Sequence, residues 1–405
     1  MGSVLLRRRV RIRYFADIRF PLERANGVQT METCHALARR GHQVTLVVRP
    51  DSHTPPRGPF AYYGLPAIPS LTINCVRVPS ALSARRAGYV AHALLGAIGR
   101  SAADIIVTRD LTIASLLLRV PAAFRPPVAY ESHGFAPAVS AEGPSLHTGA
   151  AASSRAKQRR LARRERYVWR RADAYVTITA GLLAELTRRF GPRPSAGVVP
   201  DGTRVPAQAP APRSRRHDPG VDAVVAYAGH LYPWKGIDLL IEALSKLPTC
   251  RGLVVGGLDG EPDVHRVRTL ADALAPGRVT FAGMVEPPMV ASLLARADVL
   301  VLPNLPTRIS SAYTSPLKLF EYMASGRPIV ASDLPALREV LRPDSNAVLV
   351  EPGNADALAE GIRRITGDHA LGDRLAAQAW TDVAAYSWDA RAERLEALLA
   401  EGARA

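Results

Sequence analysis

The sequence predicts an α/β protein of two doubly wound domains. Three observations carry that expectation: short β-branched runs alternate with longer stretches of helical period, the runs form two sets of six, and a proline-rich segment poor in large apolar residues separates the sets. Strands of the first set are expected at 11–15, 44–48, 73–78, 104–107, 128–131 and 174–178, and those of the second at 224–228, 253–255, 279–282, 299–302, 328–331 and 347–350. The separating segment, 205–220, reads VPAQAPAPRSRRHDPG and suits an exposed linker.

Taken in order, the first strand is followed by Asn26-Gly27-Val28-Gln29-Thr30, which opens a helix with Val28, Met31 and Leu37 on its apolar positions and Gly41 as its stop. A glycine at a helix start lets backbone N–H groups approach an anion, although a plain tight turn accounts for one glycine as well. The fifth strand leads into Tyr130-Glu131-Ser132-His133-Gly134. A lone histidine there is ordinarily a hydrogen-bonded structural residue. Residues 140–156, rich in Ala, Ser and Gly, suit a long loop. Arg155–Arg171 then carries nine cations against Glu165 alone, with a narrow apolar stripe at Leu161, Val168 and Ala172. Such a helix is either a solvated face or a surface for anionic lipid.

The second set opens with a strand running into GHLYPWKG, residues 229–236. In open α/β sheets ligands sit beyond the carboxyl ends of strands at the switch in strand order, where Gly229, His230 and Lys235 would fall. Lys235 suits a phosphate-binding cation, and a solvated loop lysine is the plain alternative. Further on, TSPLKLFEYMA (314–324) offers Ser315 as an N-cap and Pro316 as a first helical residue. Lys318 then falls in the first helical turn, where the helix dipole disfavours a cation unless an anion is bound. Glu321 stands three residues on, placed either to pair with Lys318 or to accept hydrogen bonds from ribose hydroxyls. Residues 390–401 form a last helix whose stripe of Leu395, Leu398 and Leu399 must be buried on something.

Composition bounds these readings. Over 405 residues, 47% are hydrophobic and 22% charged, which suits a packed chain and excludes a disordered one. The net charge of +16 permits nucleic acid, anionic lipid or phosphorylated ligands and selects none; only four residues, Lys157, Lys235, Lys246 and Lys318, are lysines. No apolar stretch approaches the roughly 20 residues of a membrane span, and the arginines among the first thirteen residues break any signal-peptide core. Cys34, Cys75 and Cys250 show neither disulfide nor metal-ligand spacing, so a reduced, cytoplasmic protein without structural metal is expected. Asp259, Glu261 and Asp263 suit an exposed acidic turn better than a hard-cation loop.

GHLYPWKG, the run TSPLKLFEYMASGRPIVASDLPALREVL and the opening ANGVQTMETCHALARRGHQVTLVV resemble the retaining enzymes of glycosyltransferase family 4, which have the GT-B fold. The resemblance extends over nearly the whole chain and is strongest at 223–350. It implies two Rossmann-like, doubly wound domains facing an interdomain cleft: an acceptor-binding domain at 1–205, a nucleotide-sugar donor domain at 206–380, and a terminal segment at 381–405 whose helix crosses back onto the first domain. It implies no obligatory metal. Residue by residue, Gly27 matches the glycine loop beside the donor diphosphate, His133 the acceptor-domain histidine near the transferred sugar, Lys235 the lysine on the diphosphate, and Glu321 the second glutamate of the family's E-x7-E pattern, which binds ribose. Met284 and Val285, after Gly283, match the segment lining the base pocket. Gly229, Ser315, Leu317 and Lys318 join the donor-binding set. Two positions depart from the pattern: His230 stands where an arginine usually accompanies the lysine, and Tyr313 where the first glutamate would contact the sugar.

The function so implied is transfer of a hexose-type sugar from a nucleoside-diphosphate sugar, UDP first and GDP second, to a hydroxyl of a small molecule or lipid. His133, Lys235 and Glu321 are expected to carry it without a cofactor or metal, in the cytoplasm or peripherally at an anionic membrane face. A sugar-nucleotide epimerase or a phosphorylase on the same fold is the alternative enzyme, and a basic binder of nucleic acid or membrane the alternative non-enzyme.

Overall fold

A computed structural model describes residues 9–79, 81–98, 103–143, 151, 153–210 and 222–402. Much of the expected linker at 205–220 and of the expected loop at 140–156 therefore lies outside the described residues, as do residues 1–8 of the amino-terminal basic segment. The chain divides into two compact units: Met1–Pro137 with Ser154–Asp201 and Trp388–Ala405, and Ala138–Ser153 with Gly202–Ser387.

The first unit is built on a parallel sheet of order β3-β2-β1-β4-β5-β6-β7. Its strands are β1 (Arg11–Arg19), β2 (Gln43–Arg49), β3 (Leu71–Cys75), β4 (Ile105–Thr108), β5 (Val128–Ser132), β6 (Ala174–Thr177) and β7 (Ala196–Val198). In β4, β5 and β6 every residue is buried, as strands covered on both faces require. The seventh strand corrects the expected six: Ala196–Val198 is a three-residue edge strand, too short to leave a β-branched run in the sequence.

The terminal helix, Trp388–Gly402, belongs to this unit and packs on the opening helix, Ala25–Arg39, and on β6. Leu395 and Leu399 are buried, and Leu398 lies so close over Gly197 that a Cβ there would come within 2.8 Å of it. The handover to this helix falls at Trp388 rather than 381, because Ala379 and Val383 are still core residues of the second unit.

The second unit's sheet runs β10-β9-β8-β11-β12-β13. Its strands are β8 (Ala223–Ala228), β9 (Cys250–Val255), β10 (Val279–Gly283), β11 (Val299–Leu302), β12 (Ile329–Ser332) and β13 (Val348–Val350). Strand alternation sorts the side chains into two cores. Val225, Tyr227, Val254, Val299 and Val301 pack with Ile237, Leu240 and Leu244 on one face, while Ala226, Ala228, Leu253, Leu300 and Leu302 pack with Phe320 and Met323 on the other. Among the described residues no helix is long and apolar enough to cross a membrane.

The basic segment forms the helix Arg155–Arg171, capped by Ser154, whose hydroxyl accepts from the Lys157 N–H at 3.2 Å. Two residues of the expected stripe, Val168 and Ala172, are buried, and Leu161 is only half-buried. Glu165 and Trp169 are buried as well. Glu165 is tolerated inside because Tyr175 donates its hydroxyl at 2.6 Å and Ala136 its N–H at 3.2 Å. Burial outweighs those bonds and pushes its carboxyl up to about 7.

Candidate active site

In the second unit, strand order reverses beside β8, so the carboxyl ends of β8 and β11 flank the switch point. The chain leaves β8 through Gly229, whose N–H donates to Val255 O at 2.8 Å, and makes a single 3-10 turn at Pro233–Lys235 before the helix Ile237–Ser245. Gly236 joins the two at φ +71°, with a virtual Cβ only 1.8 Å from Pro303 O, so a side chain is excluded on both counts. Leu305 N–H donates to Trp234 O at 3.0 Å, fixing the loop after β11 against the Lys235 turn.

Two ammonium groups meet here. Lys235 is half-buried with Nζ 3.6 Å from the Trp234 ring centroid, and burial pushes it down to about 7. Lys318 is buried, its Nζ 3.9 Å from the Tyr227 ring centroid and without a hydrogen-bond partner. Burial, and then the neighbouring Lys235, hold Lys318 well below the usual lysine range against the pull of Glu321. An intrahelical Lys318–Glu321 hydrogen bond is therefore not what holds this ammonium. Two neighbouring amines whose charged forms burial disfavours are an arrangement in which a bound anion would favour the ammonium.

The helix carrying Lys318 spans Leu317–Ala324, which corrects the expected capping: Pro316 occupies the N-cap position, Ser315 lies before it, and no side chain caps the first N–H groups. The helix Ile237–Ser245 likewise starts without a side-chain cap. Both amino termini keep backbone donors for an anion. Glu321 is half-buried on the same helix, one residue before Tyr322, whose hydroxyl accepts from Ala228 N–H at 2.7 Å. Met284 and Val285 follow β10 and are half-buried; Gly256 N–H donates to Gly283 O at 2.8 Å, which ties that loop to the end of β9. His230 stacks on Tyr232 with centroids 4.9 Å apart and faces Glu261 Oε2 at 3.9 Å. Tyr313 is a core residue closing the π-helical turn Ile309–Tyr313. The acidic turn is only partly exposed: Asp259 is, but Asp263 is buried and pairs with Arg266 at 3.2 Å.

In the first unit, Gly27 is buried, and a Cβ there would lie 2.3 Å from Leu22 O and 2.5 Å from the Tyr63 hydroxyl. Its N–H is committed to Arg24 O at 2.8 Å, so packing alone requires glycine, and the opening helix offers other uncapped N–H groups instead. His133 follows β5. Its Nε2 lies 2.5 Å from Glu131 Oε1, which also accepts from Gln29 Nε2 at 2.7 Å and Arg391 Nη2 at 2.8 Å. Arg109 donates to Gln29 Oε1 at 2.5 Å and Asn26 Oδ1 at 2.7 Å. Burial would raise the Glu131 carboxyl, yet Arg391, His133 and Arg109 hold it well below the usual range. Burial and Arg109 hold the His133 ring below its usual value and so neutral near pH 7. Among the described residues no three His, Cys, Asp or Glu side chains are grouped to hold a metal ion.

Comparison with known proteins decides what these two edges belong to. The family model described as "Glycosyl transferase 4-like domain" matches residues 26–202, and that described as "Glycosyl transferases group 1" matches 222–368. The chain belongs to the GT4 glycosyltransferases. The phosphatidyl-myo-inositol mannosyltransferase of Mycobacterium leprae is 30% identical over 198 residues, 49% of this chain and 51% of that protein. The chain thus spans about half the length of the curated relatives it matches. Sucrose-phosphate synthase from Thermosynechococcus elongatus superposes with a TM-score of 0.74 at 23% identity, covering 96% of this chain and 98% of that one. Anabaena HepE, solved in complex with UDP and glucose, gives 0.70 at 18% identity, covering 96% and 99%. Those likenesses establish the GT-B fold.

This GT4 chain holds polar groups that the sequence reading passed over. Glu131 lies on β5 two residues before His133, which follows the strand, a period-2 spacing legible in the sequence. Arg109, Asn304 and Arg391 gave none. Asn304 is buried with both side-chain amide atoms unpartnered, beside the Lys235–Gly236 turn.

Proposed function

We propose that this GT4 chain is a retaining glycosyltransferase that moves a hexose from a nucleoside-diphosphate sugar, with UDP as nucleotide, to a hydroxyl of a small molecule or lipid. The observation that carries the reading is the pair of ammonium groups, Lys235 and Lys318, beside two uncapped helix starts at the switch point. HepE, of the same fold, binds UDP and glucose. In the proposed reaction the glycosidic bond to the diphosphate breaks as charge grows on the leaving phosphate. Lys235, Lys318 and the backbone donors meet that charge, and the leaving phosphate takes the acceptor's proton on the same face of the sugar. Glu321 accepts from the ribose hydroxyls, Met284 and Val285 line the base, and His133 in the first unit meets the sugar or the acceptor. Since protein cations meet the leaving charge, no divalent metal is required. Three cysteines without disulfides suit a reducing, cytoplasmic setting.

The test is a panel of nucleotide sugars in a thermal-shift assay, where a ligand at 100 times its Kd stabilises by about 2.7 kcal/mol. UDP and a UDP-hexose are expected to raise Tm, and hydrolysis or transfer is expected to continue in EDTA. A panel without any shift would remove the donor reading. Activity abolished by EDTA and restored by Mg²⁺ or Mn²⁺ would remove the metal-independent mechanism.

A further inference from the structure

The first unit contains a buried polar chain that the donor chemistry does not use. Arg391 lies on the terminal helix, far in sequence from everything it touches, and is 1% exposed. Its Nη1 donates to Val199 O and Pro200 O, both at 2.7 Å, its Nε to Thr33 Oγ1 at 3.1 Å, and its Nη2 to Glu131 Oε1 at 2.8 Å. Those acceptors lie on three separate segments of the unit, the opening helix, β5 and residues 199–200, and together they fix the guanidinium. Glu131 is itself 1% exposed, and three donors converge on its Oε1 while Oε2 is buried without a hydrogen-bond partner. A half-satisfied buried carboxylate is costly and calls for a reason. Packing does not supply one, since a glutamine would meet Arg391 and fill the same volume.

The reason lies in what the carboxylate does to the histidine. An ionised carboxylate only accepts hydrogen bonds, so the contact at 2.5 Å requires the proton on His133 Nε2. A neutral ring then keeps its lone pair on Nδ1. The geometry points to Glu131 and Arg391 as positioning residues for His133: Arg391 anchors the carboxylate, and the carboxylate fixes ring orientation and tautomer so that Nδ1 accepts a hydrogen bond from a substrate hydroxyl. Rotation of the ring or transfer of the proton to Nδ1 would replace that acceptor by a donor. The charged groups facing the ring are Arg109, Glu131 and Asp201, and Gln29, between Arg109 and Glu131, links the opening helix to the same chain. The inference rests on the reading that His133 meets substrate, but its first step, the tautomer, does not.

The test therefore has an arm for each. In protein labelled with ¹⁵N in its histidine rings, long-range ¹H–¹⁵N correlation spectra, with His133 assigned from the His133→Gln variant, should show Nε2–H in the wild type and a mixed or Nδ1–H form in Glu131→Gln. In transfer assays Glu131→Gln should lower kcat by about 10–100-fold with the donor KM unchanged. Glu131→Gln with His133→Gln should be no slower than His133→Gln alone, because the carboxylate acts only through the ring. Arg391→Lys, which keeps a cation, should recover activity that Arg391→Met loses. A wild-type Nδ1–H ring, or a tautomer unmoved by Glu131→Gln, overturns the inference even if a variant folds poorly. So do losses that simply add in the double variant. His133→Gln with wild-type turnover would instead overturn the placement of His133 at the substrate, while the spectra still decide the positioning.

Discussion

Lys235 and Lys318 are the residues whose state the fold most alters, and the direction of the alteration is testable. A lysine whose folded pKa of about 7 lies below its unfolded value of 10.5 costs the fold its full burial penalty below pH 7, and that cost is relieved as pH rises from 7 towards 10.5. A diphosphate reverses this by favouring the ammonium, so nucleotide binding above pH 7 should take up protons. Titration calorimetry between about pH 6.5 and about pH 8.5 should find UDP affinity falling by up to about tenfold per unit. In Lys235→Ala the fall should be smaller, and transfer should lose about 2–4 kcal/mol in kcat/KM. Affinity independent of pH would place the anion elsewhere. Glu321 allows a cleaner separation: Glu321→Ala should raise the Kd for UDP while Tyr313→Phe leaves it nearly unchanged, since Tyr313 is a core residue at the close of its turn. Equal UDP affinity of Glu321→Ala and wild type would remove the ribose contact.

Among the elements, the helix Arg155–Arg171 has two faces with different physics. Glu165, Val168 and Trp169 anchor one to the first unit, and the Trp169 indole donates to Gly191 O at 3.1 Å. Arg159, Arg163 and Arg166 on the other are exposed. We expect the exposed face to bind anionic bilayers, each basic residue near the surface contributing about 1 kcal/mol. Sedimentation with vesicles containing anionic lipid at low salt should therefore be lost when all three arginines are changed to glutamate. UDP affinity should persist, because Lys235 and Lys318 belong to the other unit. Wild-type protein that stays in the supernatant would leave a solvated helix.

At the scale of the whole chain, the terminal helix completes a unit begun more than 350 positions earlier, as the pairing of His42 with Glu396 at 2.5 Å illustrates. Deleting residues 388–405 would strip Trp388, Leu395 and Leu399 from the core and leave Glu131 buried without its guanidinium. The loss of the ion-pair partner alone should cost about 3–5 kcal/mol. Denaturant unfolding should show the first unit melting at lower concentration in the deleted protein, with UDP binding by the second unit retained. An unchanged transition would mean the helix is an accessory.

What the sequence determined by itself was whatever local physics decides. Period-2 and period-3.6 patterning placed twelve strands, and the glycine and lysine of GHLYPWKG sat where an open sheet binds ligands. Only Ala196–Val198 escaped, because three residues carry too little hydrophobic signal. Tertiary structure alone decided the electrostatics. Lys318 reads from the sequence as a poorly placed cation or one half of an ion pair, and burial beside Lys235 and the Tyr227 ring makes it an unpartnered one. Gly27 reads as an anion loop, yet the Leu22 carbonyl and the Tyr63 hydroxyl are what exclude a side chain. Arg391 reads as one arginine among forty-eight. Its partner Glu131 lies 260 positions away, and a contact at that separation leaves no trace in local periodicity because it exists only once both segments have packed on the same sheet.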